Sequence, residues 1–69
     1  RLAVALQGLP DRQRLVVSLR DIHGLTSDEV CATLGLTGAN QRVLLHRGRA
    51  RLRTALEDYY REFVVEVTA

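Results

Sequence analysis

The 69-residue chain has room for one domain. Its make-up, 46% hydrophobic and 26% charged, is that of an ordinary globular protein and not of a disordered one. A single cysteine excludes an internal disulfide, and no apolar run approaches the ~20 residues needed to span a bilayer. Net charge is only +2, yet all ten basic residues are arginine. Arg42, Arg47, Arg49, Arg51 and Arg53 crowd together with His46, and between Val30 and Leu56 there is no acid. A one-sided basic stretch in a near-neutral domain is the electrostatic footprint of a polyanion partner, with a solvated helix face as the plainer alternative.

Nearly every segment reads as helix. Leu2, Leu6 and Leu9 predict a short first helix ending near Gly8. Pro10 then opens a second at its first helical position, with Asp11 complementing the positive end of the dipole. Leu15, Val16, Leu19 and Ile22 recur at three- and four-residue steps as its apolar stripe, and Gly24 ends it. Thr26-Ser27-Asp28-Glu29 is a capping box for the third helix, flanked by Leu25 and Val30 at the staple positions. Gly35 stops that helix, and Thr37 is the cap candidate for a fourth that starts at Gly38 and runs to about Tyr59. The tail from Phe63 to Val67 reads equally as helix continuation, strand-like extension or frayed end, so residues 63–69 are set apart as a candidate flexible tail.

A short capped helix, a glycine turn and a longer basic helix make a helix-turn-helix. Cys31 supplies the small side chain where the two helices cross, and Gly35 the left-handed backbone of the turn. Val30, Leu34 and Leu36 close a small core. The expected fold class is therefore all-α: a small four-helix domain, residues 1–69, containing a helix-turn-helix with a long C-terminal recognition helix. At ~100° per residue, Gln41, Leu44, Leu45, Gly48, Leu52, Ala55, Leu56 and Tyr59 fall on one side of that helix as its core stripe. The opposite side carries a ridge of Ala39, Val43, His46 and Ala50. Arg42, Arg49 and Arg53 line one flank of the ridge; Asn40, Arg47 and Arg51 line the other. A narrow ridge between arginine flanks suits a major groove, where the ridge approaches base edges and the flanks reach phosphates.

The run from Leu9 to Leu56 resembles the C-terminal region, region four, of bacterial extracytoplasmic-function sigma factors. The resemblance rests on the L-P-x-x-x-R opening, the L-R-D-x-x-G-L-T step and the H-R-G-R-A-R-L ending. It implies recognition of the −35 promoter element in double-stranded DNA during transcription initiation. It also implies docking on the beta flap of RNA polymerase core, an anti-sigma factor as a further partner, and a cytoplasmic location. Thr37 to Arg47 would read DNA: Arg42 matches a basic position of the family pattern, and His46, Arg47 and Arg49 match its H-R-x-R. The departures are Gln41, where the family has an aliphatic residue, and Leu44, where it has a basic one, which leaves the base-reading code open.

The candidate DNA-binding residues are thus Thr37, Gly38, Ala39, Asn40, Arg42, Val43, His46, Arg47 and Arg49. For Asn40, base contact competes with service to the free amides of the first helical turn. Gln41 could read adenine, but its phase points to the core. Cys31 reads as a buried small residue, His23 as surface, and Tyr59, Tyr60 and Phe63 as a cap on the core or a partner-binding patch. No acid/base pair, phosphate loop or metal-ligand spacing is present, so neither an enzyme, a metal site, a cofactor nor a small-molecule substrate is expected. The alternatives are a response-regulator output domain and a protein-interaction module gripping the flap or an anti-sigma factor. The chain opens on Arg1, and a fragment of something longer is the expectation.

Overall fold

The structure, a computed structural model, describes the backbone of residues 2–68 and the side chains of residues 2–61. Four α-helices follow one another: α1 (Leu2–Gln7), α2 (Asp11–Val17), α3 (Ser27–Leu34) and α4 (Gly38–Thr68), with a π-helical turn, Ser18–Ile22, continuing α2. The described residues contain no strand, so the architecture is the all-α, four-helix arrangement expected. Helix α4 runs well past Tyr59, taking the helical continuation among the three readings of the tail. The separate reading of 63–69 as a flexible tail lies outside the residues whose side chains are described.

The shape of the core follows from one close approach. A Cβ placed on Gly48 of α4 would lie 2.6 Å from Val17 Cγ2 and 3.3 Å from the Gln13 carbonyl oxygen. Only a residue without a side chain lets α2 lie this near α4. The buried face of α2 is therefore Gln13, Val16 and Val17, one turn of i, i+3, i+4 spacing. The stripe expected from the sequence is partly displaced: Val16 is fully buried, but Leu15 is 46% and Ile22 50% exposed. The π turn accounts for Ile22, because its wider winding shifts the phase on which a continuous α-helical stripe depends. Leu6, Leu9, Val30 and Leu45 complete the core, with Leu19, Leu25, Leu34, Leu36, Leu44 and Leu52 packed around it. Fully burying a valine such as Val16, Val17 or Val30 contributes roughly 1.5–3 kcal/mol.

Local signals hold the turns. Pro10 caps α2 from one position earlier than expected, its carbonyl accepting from the Arg14 N–H at 2.9 Å. At the start of α3 both halves of the capping box form: Thr26 N–H donates to Glu29 Oε1 at 2.7 Å and Glu29 N–H donates to Thr26 Oγ1 at 3.2 Å. Gly35 adopts φ 68°, and the next amide, Leu36 N–H, donates back to the Cys31 carbonyl at 3.0 Å, closing the helix. Cys31 itself is half-buried and not enclosed as expected; Val30 beside it takes the fully buried place.

Candidate nucleic-acid interface

Thr37 starts α4. Its hydroxyl oxygen accepts from the Asn40 N–H at 3.1 Å, so Asn40 receives the cap and does not provide it. Among the described residues no intrachain hydrogen bond holds the Asn40 carboxamide, which projects exposed. The first turn of α4 carries no acid. Its free amides and the positive end of its dipole meet no negative side chain of their own helix. Arg42 leans over this turn, its Nη1 lying 3.6 Å from where a Cβ on Gly38 would stand. Amides, dipole and guanidinium thus converge at one end of α4, an arrangement suited to an anion.

Along α4 the expected outward set is exposed: Ala39, Asn40, Arg42, Val43, His46 and Arg47, together with Thr37 and Gly38 before them. Ala50 is half-buried and ends the ridge sooner than the helical wheel suggests. Gln41 faces inward at 1% exposure, beside the buried Leu45. It is a core residue, as its phase indicates, and its buried Oε1 accepts no hydrogen bond among the described residues. Leu44 packs against the core rather than toward solvent.

Arg49 is where the structure adds something the wheel did not contain. Its Nε donates to Asp21 Oδ2 at 2.9 Å and its Nη2 to Asp21 Oδ1 at 2.5 Å. The guanidinium fork is occupied by a carboxylate of the π turn. That double hydrogen bond holds Asp21 below its usual pKa against the opposing effect of burial, helped by the charges of Arg49 and Arg20, and it raises Arg49. At the start of α3, Glu29 is likewise lowered, first by the Thr26 backbone N–H and then by the Thr26 hydroxyl. Nothing in the sequence marks Asp21 as a partner of Arg49: the two stand 28 residues apart and share no periodicity.

A second surface lies at the other end of the molecule. Val4, Ala5 and Gly8 of the α1 region and Ala55, Leu56 and Tyr59 of α4 line an open apolar groove of about 400 Å³. Tyr59 stands at its edge, in edge-to-face contact with Tyr60 at 5.8 Å between ring centres. Neither described tyrosine closes the core, since both are exposed. Among the described residues no cluster of histidine, cysteine or acidic groups could hold a metal ion, and no helix is long and apolar enough to cross a membrane.

Residues 1–52 match the family described as sigma-70, region 4. The chain belongs to the sigma-70 region 4 family. It is 43% identical over 61 residues to the ECF RNA polymerase sigma factor SigE of Mycolicibacterium smegmatis, an alignment covering 88% of this chain and 24% of that protein. It is 40% identical over 53 residues to the RNA polymerase sigma-E factor of Streptomyces antibioticus, covering 77% of this chain and 29% of that one. A similar protein of Streptomyces avermitilis, also an RNA polymerase sigma-E factor, is 40% identical over 52 residues. The chain spans about a quarter of the length of these relatives. Family membership decides between the sigma-factor reading and the response-regulator alternative in favour of the former.

Proposed function

We propose that this region 4 chain binds the −35 element of promoter DNA by laying the N-terminal half of α4 in the major groove, as the promoter-reading part of a cytoplasmic extracytoplasmic-function sigma factor. The observation that carries this reading is the start of α4: free amides, no acid in the first turn and Arg42 leaning over it. In the proposed complex a phosphate sits at this end, held by the amides of Gly38 and Ala39, the Thr37 hydroxyl and Arg42. Asn40 and Val43 meet base edges, the valine against a thymine methyl group, while His46 and Arg47 reach the backbone on the far side. Gln41 takes no part, being enclosed.

The test is an anisotropy titration of the chain against a −35-containing duplex and a scrambled duplex over a salt series. Tighter binding to the promoter duplex with a steep salt slope is expected. Arg42→Ala and Arg47→Ala should each weaken binding roughly 3- to 10-fold and lower the slope by about one. Both variants binding as wild type does would overturn the groove assignment. The apolar groove between α1 and α4 favours a second, compatible activity: docking of RNA polymerase through its beta flap, or of an anti-sigma factor. Substituting Ala55 with glutamate should abolish that docking while leaving duplex binding intact.

A further inference from the structure

We infer that Asp21 and Arg49 form a brace that sets the rotation of α4, making Arg49 a positioning residue for promoter reading and not a phosphate ligand. The inference rests on the promoter-binding function proposed above. It starts from the geometry around Gly48. At this glycine α2 lies close against α4, with Val17 against bare backbone. That contact sets how near the helices lie, and the buried Gln41 and Leu45 set which face of α4 turns inward. A smaller rotation about the helix axis is left to be restrained at the exposed edge of the contact. At ~100° per residue, Arg47 stands about 40° round α4 from Val43, so a rotation of that size would replace the valine by an arginine at the groove floor.

The residue next to the glycine supplies that restraint. Arg49 reaches across to the end of α2 and is held at two nitrogens by both oxygens of Asp21. Two parallel bonds to a planar fork fix an angle as well as a distance. Asp21 is offered from a firm mount, because the π turn that carries it is closed by three bonds. The His23 N–H donates to the Ser18 carbonyl at 3.0 Å and the Leu25 N–H to the Leu19 carbonyl at 2.9 Å. Arg20 Nη1 donates to the Leu25 carbonyl at 3.0 Å. π turns inside helices often occur at functional sites; here the turn delivers a carboxylate to the reading helix. The pair is neutral in sum, so Arg49 releases no counterion of its own when DNA binds.

Electrostatics and positioning predict opposite signs for one variant. Asp21→Asn removes a negative charge near DNA and frees Arg49, so charge alone would tighten binding to any duplex. If the brace sets the rotation, Asp21→Asn instead lowers the ratio of promoter to scrambled affinity at least threefold. Arg49→Ala lowers the same ratio while leaving the salt slope unchanged, in contrast to Arg47→Ala, which lowers it by about one. The exchanged pair, Asp21→Arg with Arg49→Asp, recovers part of the discrimination lost by either single change. Circular dichroism of each variant, read beside the titrations, separates a lost fold from a lost rotation. Tighter binding by Asp21→Asn with undiminished discrimination, or a slope reduced by about one in Arg49→Ala, overturns the inference. A single variant that has lost its helical signal is judged by the exchanged pair, whose failure to regain discrimination also overturns it. Wild-type chain that binds neither duplex would sink the promoter reading itself, and the brace with it.

Discussion

Helices α3 and α4 both begin on a threonine, but Ser27-Asp28-Glu29 follows Thr26 whereas Gly38-Ala39-Asn40 follows Thr37. At α3 the third residue returns a carboxylate to the cap and two acids face the helix dipole, so the end is satisfied within the chain. At α4 only the forward half of the same motif exists: Thr37 accepts from Asn40, and nothing returns. One start is optimised for folding. The other leaves its donors unmatched, which costs stability in the free chain and gives an incoming anion something to bind. On the proposed function the stronger N-terminus serves the fold and the weaker one meets DNA, a division expected where a site is kept short of its most stable form.

Converting the second end into the first is the sharpest way to break this contrast. Asn40→Glu supplies the missing carboxylate at the third position after Thr37, matching the place of Glu29 after Thr26. The cap should then close as at α3, raising thermal stability, while the new charge repels phosphate where the amides converge. We expect duplex affinity to fall ten- to a hundredfold, about 1.4–2.8 kcal/mol, with the melting midpoint unchanged or higher. Titration and thermal melting of the same variant check both signs together. Loss of affinity accompanied by loss of stability would mean that the substitution acts through the fold; unchanged affinity would mean that this end does not touch DNA.

The contrast also requires α4 to be held with its reading face outward, and Gly48 is what permits α2 to hold it. At an ordinary helix position Gly→Ala gains about 1 kcal/mol in helix propensity. Here the added methyl meets Val17 Cγ2 at 2.6 Å and the Gln13 backbone at 3.3 Å, an overpacking that costs about 1–3 kcal/mol. The balance for Gly48→Ala is a net loss near 1 kcal/mol, about the middle of that difference, read as a lower denaturant midpoint. A higher midpoint would show that α2 can move away freely and that the crossing does not fix α4.

What was legible in the sequence divides along the same line. The capping box, the left-handed glycine and the cap at Thr37 are short-range chemistry, where the partners lie within four residues, and each forms where the residue pattern puts it. The inward turn of Gln41 was equally readable from helical phase. What could not be read depends on a second element. The buried face of α2 is chosen by Gly48, and the π turn changes its phase in mid-segment, so Leu15 and Ile22 emerge while Gln13 and Val17 are enclosed. The wheel position of Arg49 points outward, but a wheel of α4 does not contain Asp21. Base-reading roles for Asn40 and Val43 rest on exposure and on resemblance, because the family pattern is interrupted at Gln41 and Leu44.

The smallest expected effect concerns acid, and it separates the two helix starts without DNA. Glu29 and Asp21 both have folded pKa values below their ordinary 4.5 and 3.8. A carboxylate lowered on folding contributes stability that is fully present above its unfolded pKa and is lost as pH falls through the folded one. The affected window therefore opens near pH 5.5, about one unit above 4.5, and continues below 3.8. Glu29→Gln keeps an oxygen that can accept from the Thr26 N–H but cannot titrate. Its midpoint should lie slightly below wild type at neutral pH, where only the carboxylate contributes, and fall less steeply below about pH 5.5, so that the two curves converge in acid. The start of α4 has no such carboxylate, so Asn40→Asp should add acid sensitivity where wild type has none. If the midpoint-against-pH curves of wild type and Glu29→Gln run parallel from about pH 6 down to about pH 3.5, the reciprocal bond at α3 contributes nothing to folding. The difference between the two threonine starts would then have to be sought in charge alone.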